Sequence, residues 1–190
     1  MRVLGISGSL RRDSLNSALL RAAAERLPAG VELVPYEGLR VIPPYDADLE
    51  LDGAPRPVQE LREAIRGADA VLVATPEYNH SIPGVLKNAL DWASRPAGQS
   101  ALSGKPAAAI GASTGMFGAV WAQAETRKVL GALGGRVVEA ELPVAAADKQ
   151  FVDGELELTP QQSGQLEEIL AELVSAVEEV EEFARERVAA

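Results

Sequence analysis

Ala70-Val71-Leu72-Val73-Ala74-Thr75-Pro76-Glu77-Tyr78-Asn79-His80-Ser81-Ile82-Pro83-Gly84 is the most informative stretch of the chain. Its first five residues are apolar without alternation, the pattern of a strand covered by helices on both faces, as in parallel sheets. Pro76 and Pro83 fix their backbone φ angles, so the segment between them is a stiff loop that presents its amides in a set array. Gly84 then opens a helical pattern carrying Leu86, Leu90 and Trp92. Strand, loop and helix together make one βα unit, and the same alternation extends in both directions. Strands are expected near Arg2–Ser7, Val31–Tyr36, Ala70–Thr75, Ala107–Ala112 and Arg136–Glu139. Helices are expected over Asn16–Arg26, Pro57–Arg66, Gly84–Ala93, Gly118–Leu133 and Gln161–Arg187. This order predicts a doubly wound α/β fold with a five-stranded parallel sheet, for which 2-1-3-4-5 is a common strand order. Pro43-Pro44 and Asp52-Gly53 mark the segment between Glu37 and Pro57 as a loop.

The last helix has the best-marked start. Thr159 suits the N-cap, Pro160 the first helical position, and Gln162 the reciprocal place in a capping box. Leu166, Ile169, Leu170, Leu173, Val177, Val180 and Ala184 follow at helical spacing, which leaves the glutamates on a solvated face.

With 190 residues, the chain is expected to form one domain over 1–190. The formal charge of -10 argues against a nucleic-acid partner and against an anionic membrane surface. No cysteine is present, which excludes disulfides, thiol catalysis and Cys-ligated centres, and the lone His80 cannot build a multi-histidine metal site. No apolar run approaches the roughly 20 residues that span a bilayer. The start of the chain lacks the pattern of a signal peptide, so a cytoplasmic location is expected.

In a doubly wound sheet, ligands bind beyond the carboxyl ends of the strands. After the first strand, Ser7-Gly8-Ser9-Leu10-Arg11-Arg12-Asp13-Ser14-Leu15-Asn16 leads straight into a helix. Free N–H groups, a positive helix end, and the donors of Ser9, Ser14 and Asn16 suit a phosphate, with Arg11 or Arg12 as counter-charge; the bland reading is a capped turn. Neither a GxGxxG nor a Walker motif is present, because Ser7 and Leu10 stand where glycines are needed and Pro106 follows Gly104-Lys105. After the third strand, the loop between the two prolines suits a planar polar heterocycle, whereas Tyr78 and His80 taken singly have bland readings, a lone loop histidine being more often a surface or hydrogen-bonded residue than a catalyst. After the fourth, Gly111-Ala112-Ser113-Thr114-Gly115-Met116-Phe117-Gly118 lets backbone approach a ligand, and Gly115 and Gly118 would leave one face of a ring uncovered. The same stretch matches the G-x-S-x-G elbow of serine hydrolases, although the only histidine precedes Ser113.

Taken together, the three loops resemble the NADPH-dependent FMN reductase family, which includes bacterial chromate and quinone reductases. The resemblance is carried by Gly8-Ser9-Leu10-Arg11 with Ser14 and Asn16, by Pro76-Glu77-Tyr78-Asn79, and by Ser81-Ile82-Pro83-Gly84 with Leu86, Lys87, Asn88, Asp91 and Trp92. Gly104-Lys105-Pro106 and the glycines from Gly111 to Gly118 complete it, over residues up to about Val138. The resemblance implies a flavodoxin-like fold that binds FMN. Ser9, Arg11, Ser14 and Asn16 would hold its phosphate, Pro76, Glu77, Tyr78 and Asn79 would line the isoalloxazine, and Ser113, Thr114 and Gly115 would close the far side. It also implies ping-pong transfer of electrons from NADPH or NADH to a small acceptor such as a quinone, free flavin or chromate, with no side chain needed as acid or base. Members are typically homodimers or homotetramers, and Arg127 resembles an arginine at their contacts. His80 stands where relatives often have Tyr, and the long acidic C-terminal helix suggests a part in assembly. The alternative of another class is a non-catalytic flavin carrier or regulator.

Overall fold

A computed structural model describes residues 1–189. The elements run β1 (Arg2–Ser7), α1 (Leu15–Ala24), β2 (Glu32–Tyr36), α2 (Ala47–Leu51), α3 (Arg56–Arg66), β3 (Ala70–Ala74) and α4 (Gly84–Ala93). They continue through β4 (Pro106–Ala112), α5 (Val120–Ala132), β5 (Arg136–Val137), β6 (Pro143–Val144), β7 (Phe151–Val152), β8 (Glu155–Leu156) and α6 (Pro160–Ala189). The main sheet has the expected flavodoxin-like order β2-β1-β3-β4-β5, with every pair parallel.

Every residue of β3 is wholly buried, as its unbroken apolar run requires. Ala70, Leu72 and Ala74 face a core built with α1 and α6, whereas Val71 and Val73 face a second core built with α3, α4 and α5. β4 is also buried throughout, and its run Ala107-Ala108-Ala109 keeps side chains small where helices press on both faces. Two cores on one sheet leave the strand ends as the open surface, and the loops following β1, β3 and β4 all emerge at the same rim.

Local chemistry explains the element boundaries. The capping box of α6 forms as its sequence suggests: Thr159 N donates to Gln162 Oε1 at 2.8 Å and Gln162 N donates to Thr159 Oγ1 at 3.3 Å. Leu166, Ile169, Leu170, Leu173 and Val177 are buried, but Val180 is only half-buried and Ala184 is exposed. The helix therefore runs on past the sheet that its first half covers.

Other expectations needed correction. The 37–57 segment is not all loop, since it holds a 3-10 turn at Gly38–Val41 and the short α2, whose N-terminus Asp46 caps through its carboxylate. It is pinned to α4, where Asn88 Nδ2 and Trp92 Nε1 both donate to Pro43 O at 2.8 Å. α5 begins at Val120 rather than Gly118, because Gly118 (φ 59) and Ala119 (φ 63) are both left-handed and cannot join a right-handed helix. β5 stops at Val137, short of Glu139, and β6 takes over the pairing with β4 farther along the strand. The two-stranded ribbon of β7 and β8 was not foreseen; it packs on α1, with Arg21 Nε 3.1 Å from Glu155 Oε1.

Gly118 is a packing glycine and does not leave a ligand face open. A Cβ there would lie 2.5 Å from the Pro143 carbonyl carbon and 2.7 Å from Val144 N. Gly118→Ala is expected to destabilise the fold by about 2–4 kcal/mol, read from the shift of the urea midpoint at unchanged slope.

Candidate functional site

The loop after β1 begins with a close approach of backbones. Gly8 N donates to Ala74 O at 2.8 Å, and a Cβ on Gly8 would lie 3.1 Å from Leu86 and 3.2 Å from Pro76. Ser14 is the N-cap of α1, its Oγ accepting from Ser17 N at 3.1 Å. The amides of Arg12 through Asn16 find no acceptor among the described residues, so a run of donors opens at the positive end of α1. Arg11 is exposed, and its guanidinium makes no hydrogen bond or ion pair among the described residues. Ser9 Oγ accepts from Arg11 N at 3.4 Å, which folds the loop back on itself.

Asn16 does not serve as expected. Its side chain is buried, with Nδ2 donating to Ala112 O at 2.9 Å and Oδ1 accepting from Ala112 N at 3.0 Å. Both amide atoms thus clamp the end of β4, and only its backbone N–H remains for an anion.

Past β3, the chain forms a tight reversal. Tyr78 N donates to Ser81 O at 3.0 Å and Ser81 N donates to Tyr78 O at 3.1 Å, while Asn79 (φ 52) and His80 (φ 62) are both left-handed. Two successive positive φ values define a type I′ turn, in which Asn is at home and His is strained. The amides of Glu77, Asn79 and His80 find no acceptor among the described residues, and the half-exposed Tyr78 ring stands beside them. Glu77 faces the site with its backbone, but its carboxylate turns away. Its Oε2 accepts from Trp121 N at 3.1 Å and Ala122 N at 3.3 Å, capping α5, whose own N-cap position holds Ala119. His80 packs edge-on against Trp121, with its Nδ1 3.7 Å from Glu77 Oε1.

The loop after β4 is held from behind. Ser113 N donates to Val144 O at 3.0 Å, Ala147 N to Ser113 O at 3.0 Å, and Ala146 N to Gly115 O at 3.0 Å. Gln123, wholly buried, accepts from Leu142 N at 2.9 Å and donates to Gly118 O at 3.0 Å. With its backbone secured, the loop keeps the hydroxyls of Ser113 and Thr114 unpaired among the described residues. Ser113 is not a hydrolase nucleophile: α5 starts only at Val120, so there is no strand-to-helix elbow, and His80 contacts Glu77 and Trp121 instead.

The three loops enclose a trough of about 140 Å³ lined by Ser9, Arg11, Asn16, Pro76, Glu77, Tyr78, Ser113 and Thr114, with Leu15 and Ala112 between them. Ser14, which caps α1, and Asn79 and Gly115 are not among the residues that line it. Two other anticipated features fall elsewhere. Lys105, in the Gly104-Lys105-Pro106 match, sits at the opposite end of β4, where its ammonium donates to the Arg66 and Ala68 carbonyls and burial pushes its pKa down. Arg127 is engaged within the chain, 3.0 Å from Glu141 Oε2.

The NADPH-dependent FMN reductase family matches residues 1–149. The chain belongs to that family. It is 54% identical over 132 residues to an NAD(P)H-dependent FMN reductase of Pseudomonas aeruginosa, covering 68% of this chain and 69% of that protein. It is 46% identical over 131 residues to a 2-hydroxy-1,4-benzoquinone reductase of a Burkholderia species, covering 68% and 69% of the two chains. Among solved structures, it is similar to a flavoenzyme NAD(P)H:(acceptor) oxidoreductase of Paracoccus denitrificans, with a TM-score of 0.80 and 35% identity over 94% of this chain and 97% of that one. The family's flavin fits the donor set. Arg11 and the unpaired amides at the start of α1 come from one of the loops that meet at the trough, and the amides of Glu77, Asn79 and His80, without acceptors among the described residues, come from another.

Asn16→Ala is expected to lower stability by about 1–3 kcal/mol in thermal or urea unfolding, because it strands the buried N–H and C=O of Ala112. Glu77→Ala should cost about 1–2 kcal/mol through loss of the α5 cap, and Glu77→Asp should not restore it, since the shorter acid cannot reach.

Proposed function

We propose that this chain, as a single flavodoxin-like domain over residues 1–190, is an NAD(P)H-dependent FMN oxidoreductase that delivers electrons to quinones and similar small acceptors. The observation that carries this reading is the convergence of three loops, each contributing unpaired donors, on one trough at the carboxyl rim of the sheet. The relatives are named as reductases, which favours an enzyme over a passive carrier. Among the described residues, no helix is long and apolar enough to cross a membrane. A cytoplasmic location, where reduced pyridine nucleotide is available, completes the proposal.

FMN, when bound, supplies the hydride chemistry itself, so the protein's part is to hold, orient and tune it. Arg11 and the amides at the start of α1 would hold the phosphate, with Ser9 and the Ser14 hydroxyl adding donors. The amides of Glu77, Asn79 and His80 would be the donors offered to the ring, and the prolines keep them in place without the entropy loss of a flexible loop. Ser113, Thr114 and Gly115 close the other side. Such fixed backbone donors would stabilise negative charge on the bound flavin and so ease its reduction. No side chain in the trough is required as acid or base.

One open face would serve donor and acceptor in turn. Parallel initial-rate lines with NADPH and a benzoquinone are therefore expected, and lines converging through a ternary complex would overturn the ping-pong scheme. Chromate belongs among the acceptors to be assayed.

Assembly as a homodimer or homotetramer is part of the proposal. Tyr78, Met116, Phe117 and Trp121 are large apolar side chains left exposed beside the trough. Phe117 and Trp121 pack edge to face with centroids 4.9 Å apart, forming a continuous patch of the kind that oligomers cover. Light scattering on the purified protein decides the subunit number.

Arg11→Ala should weaken FMN binding by about tenfold or more while leaving the unliganded protein's melting temperature within about 1 °C, because the Arg11 guanidinium makes no hydrogen bond or ion pair among the described residues. Anaerobic NADPH should bleach the flavin absorbance of the purified protein without any partner protein. A flavin that stays oxidised until a second reductase is added would overturn the assignment as an enzyme.

A further inference from the structure

The same rim carries a second, larger cavity of about 480 Å³ on the other side of the β1 loop. Its volume lies within the roughly 300–1,000 Å³ usual for small-molecule sites. Ser9 and Arg11 line both cavities, so the loop that faces the flavin trough also forms a wall of the second space. Its apolar lining includes Leu20 of α1 and Leu33 of β2, which both pack against Gly5 of β1. Gly5 is required there, since a Cβ on it would lie 2.7 Å from Leu33 Cδ2. Arg40 closes one side, its guanidinium donating to the Leu10 carbonyl and tying the segment after β2 to the β1 loop. Arg21 stands at the other, held by Glu155. Three arginines thus border one cavity of a chain whose formal charge is -10.

One acidic side chain narrows the choice of ligand. Glu37 lines the cavity immediately after β2 ends at Tyr36. In the dinucleotide-binding form of the doubly wound sheet, an acid downstream of the phosphate-binding turn accepts a hydrogen bond from a ribose hydroxyl. A simple aromatic carboxylate would satisfy the arginines but would face Glu37. Arg21 and Arg40 are already engaged by Glu155 and the Leu10 carbonyl, and a nucleoside joined through a 5′-phosphate suits the groups that remain: base on Leu20 and Leu33, diol on Glu37, phosphate on Ser9 and Arg11.

We propose that this cavity is a subsite for a purine nucleoside 5′-phosphate group, seated beside the flavin phosphate across the Ser9–Arg11 wall. The inference rests on the phosphate-loop reading above. Two cofactor classes carry such a group, the adenylate half of FAD and the adenosine half of NAD(P)H, and the test separates them.

The purified protein, depleted of flavin by dialysis, is titrated with FMN and with FAD, and the FMN-loaded protein is assayed for the NADPH KM. Each measurement is repeated for Leu33→Trp, which fills the slot, and for Glu37→Ala, which alters an exposed residue and leaves the core untouched. If FAD supplies the group, both variants lose about tenfold or more in FAD affinity while FMN affinity stays within about twofold. If NADPH supplies it, both raise the NADPH KM about tenfold or more with both flavin affinities unchanged. Unchanged FAD affinity together with an unchanged NADPH KM in Glu37→Ala and in a folded Leu33→Trp overturns the proposal while the flavin reading stands. A wild-type protein that takes up no FMN overturns the phosphate-loop reading and this subsite with it.

Discussion

The burial of β3 and β4 on both faces is the constraint from which the rest of the structure follows. A strand with no exposed residue must be covered by helices on either side, and because all its neighbours run parallel every strand-to-helix loop emerges at the same carboxyl end. The sides of the sheet are closed by α1 and α6 on one face and by α3, α4 and α5 on the other. Backbone amides without partners can therefore collect only at the ends of the strands, and the rim beyond β1, β3 and β4 is where they do.

A rim of loops would be too mobile to hold a cofactor unless something stiffened it. Three buried or half-buried polar side chains do so from behind. Asn16 joins α1 to the end of β4, Gln123 joins α5 to the segment before β6, and Glu77 joins the β3 loop to the start of α5. Each satisfies backbone groups that would otherwise be orphaned, and each couples two elements distant in sequence. They are supports, and their value lies in presenting the Arg11 side chain and the loop amides in one arrangement before any ligand arrives. Pro76 and Pro83 contribute the same stiffness by covalent means.

The residues beyond the family match form a second layer of structure. The ribbon of β7 and β8 rests on α1, and α6 covers the sheet as far as Val177 before continuing into solvent with Phe183 exposed. The first part of α6 completes the core, whereas no side chain of its glutamate-rich remainder beyond Val177 is fully buried among the described residues.

Much of the architecture was legible in the amino-acid order. Uninterrupted apolar runs marked the strands, the capping box at Thr159 marked the start of α6, and the proline-bounded loop after β3 marked the region of the site, because each depends on neighbours within a few residues. Grouping Ser9, Arg11, Pro76, Glu77, Tyr78, Ser113 and Thr114 at one rim also followed, since strand polarity alone places those loops together. Tertiary structure alone decided how individual side chains are used. Asn16 turned out to be a clamp, the Glu77 carboxylate a cap for a remote helix, Gly118 a close contact with Pro143, and the serine motif a plain loop. Such roles depend on which atoms lie within about 3 Å across long stretches of chain, and local pattern carries no record of that distance. The second cavity was equally hidden, because its walls come from β1, α1 and the segment after β2 and exist only once those elements are packed.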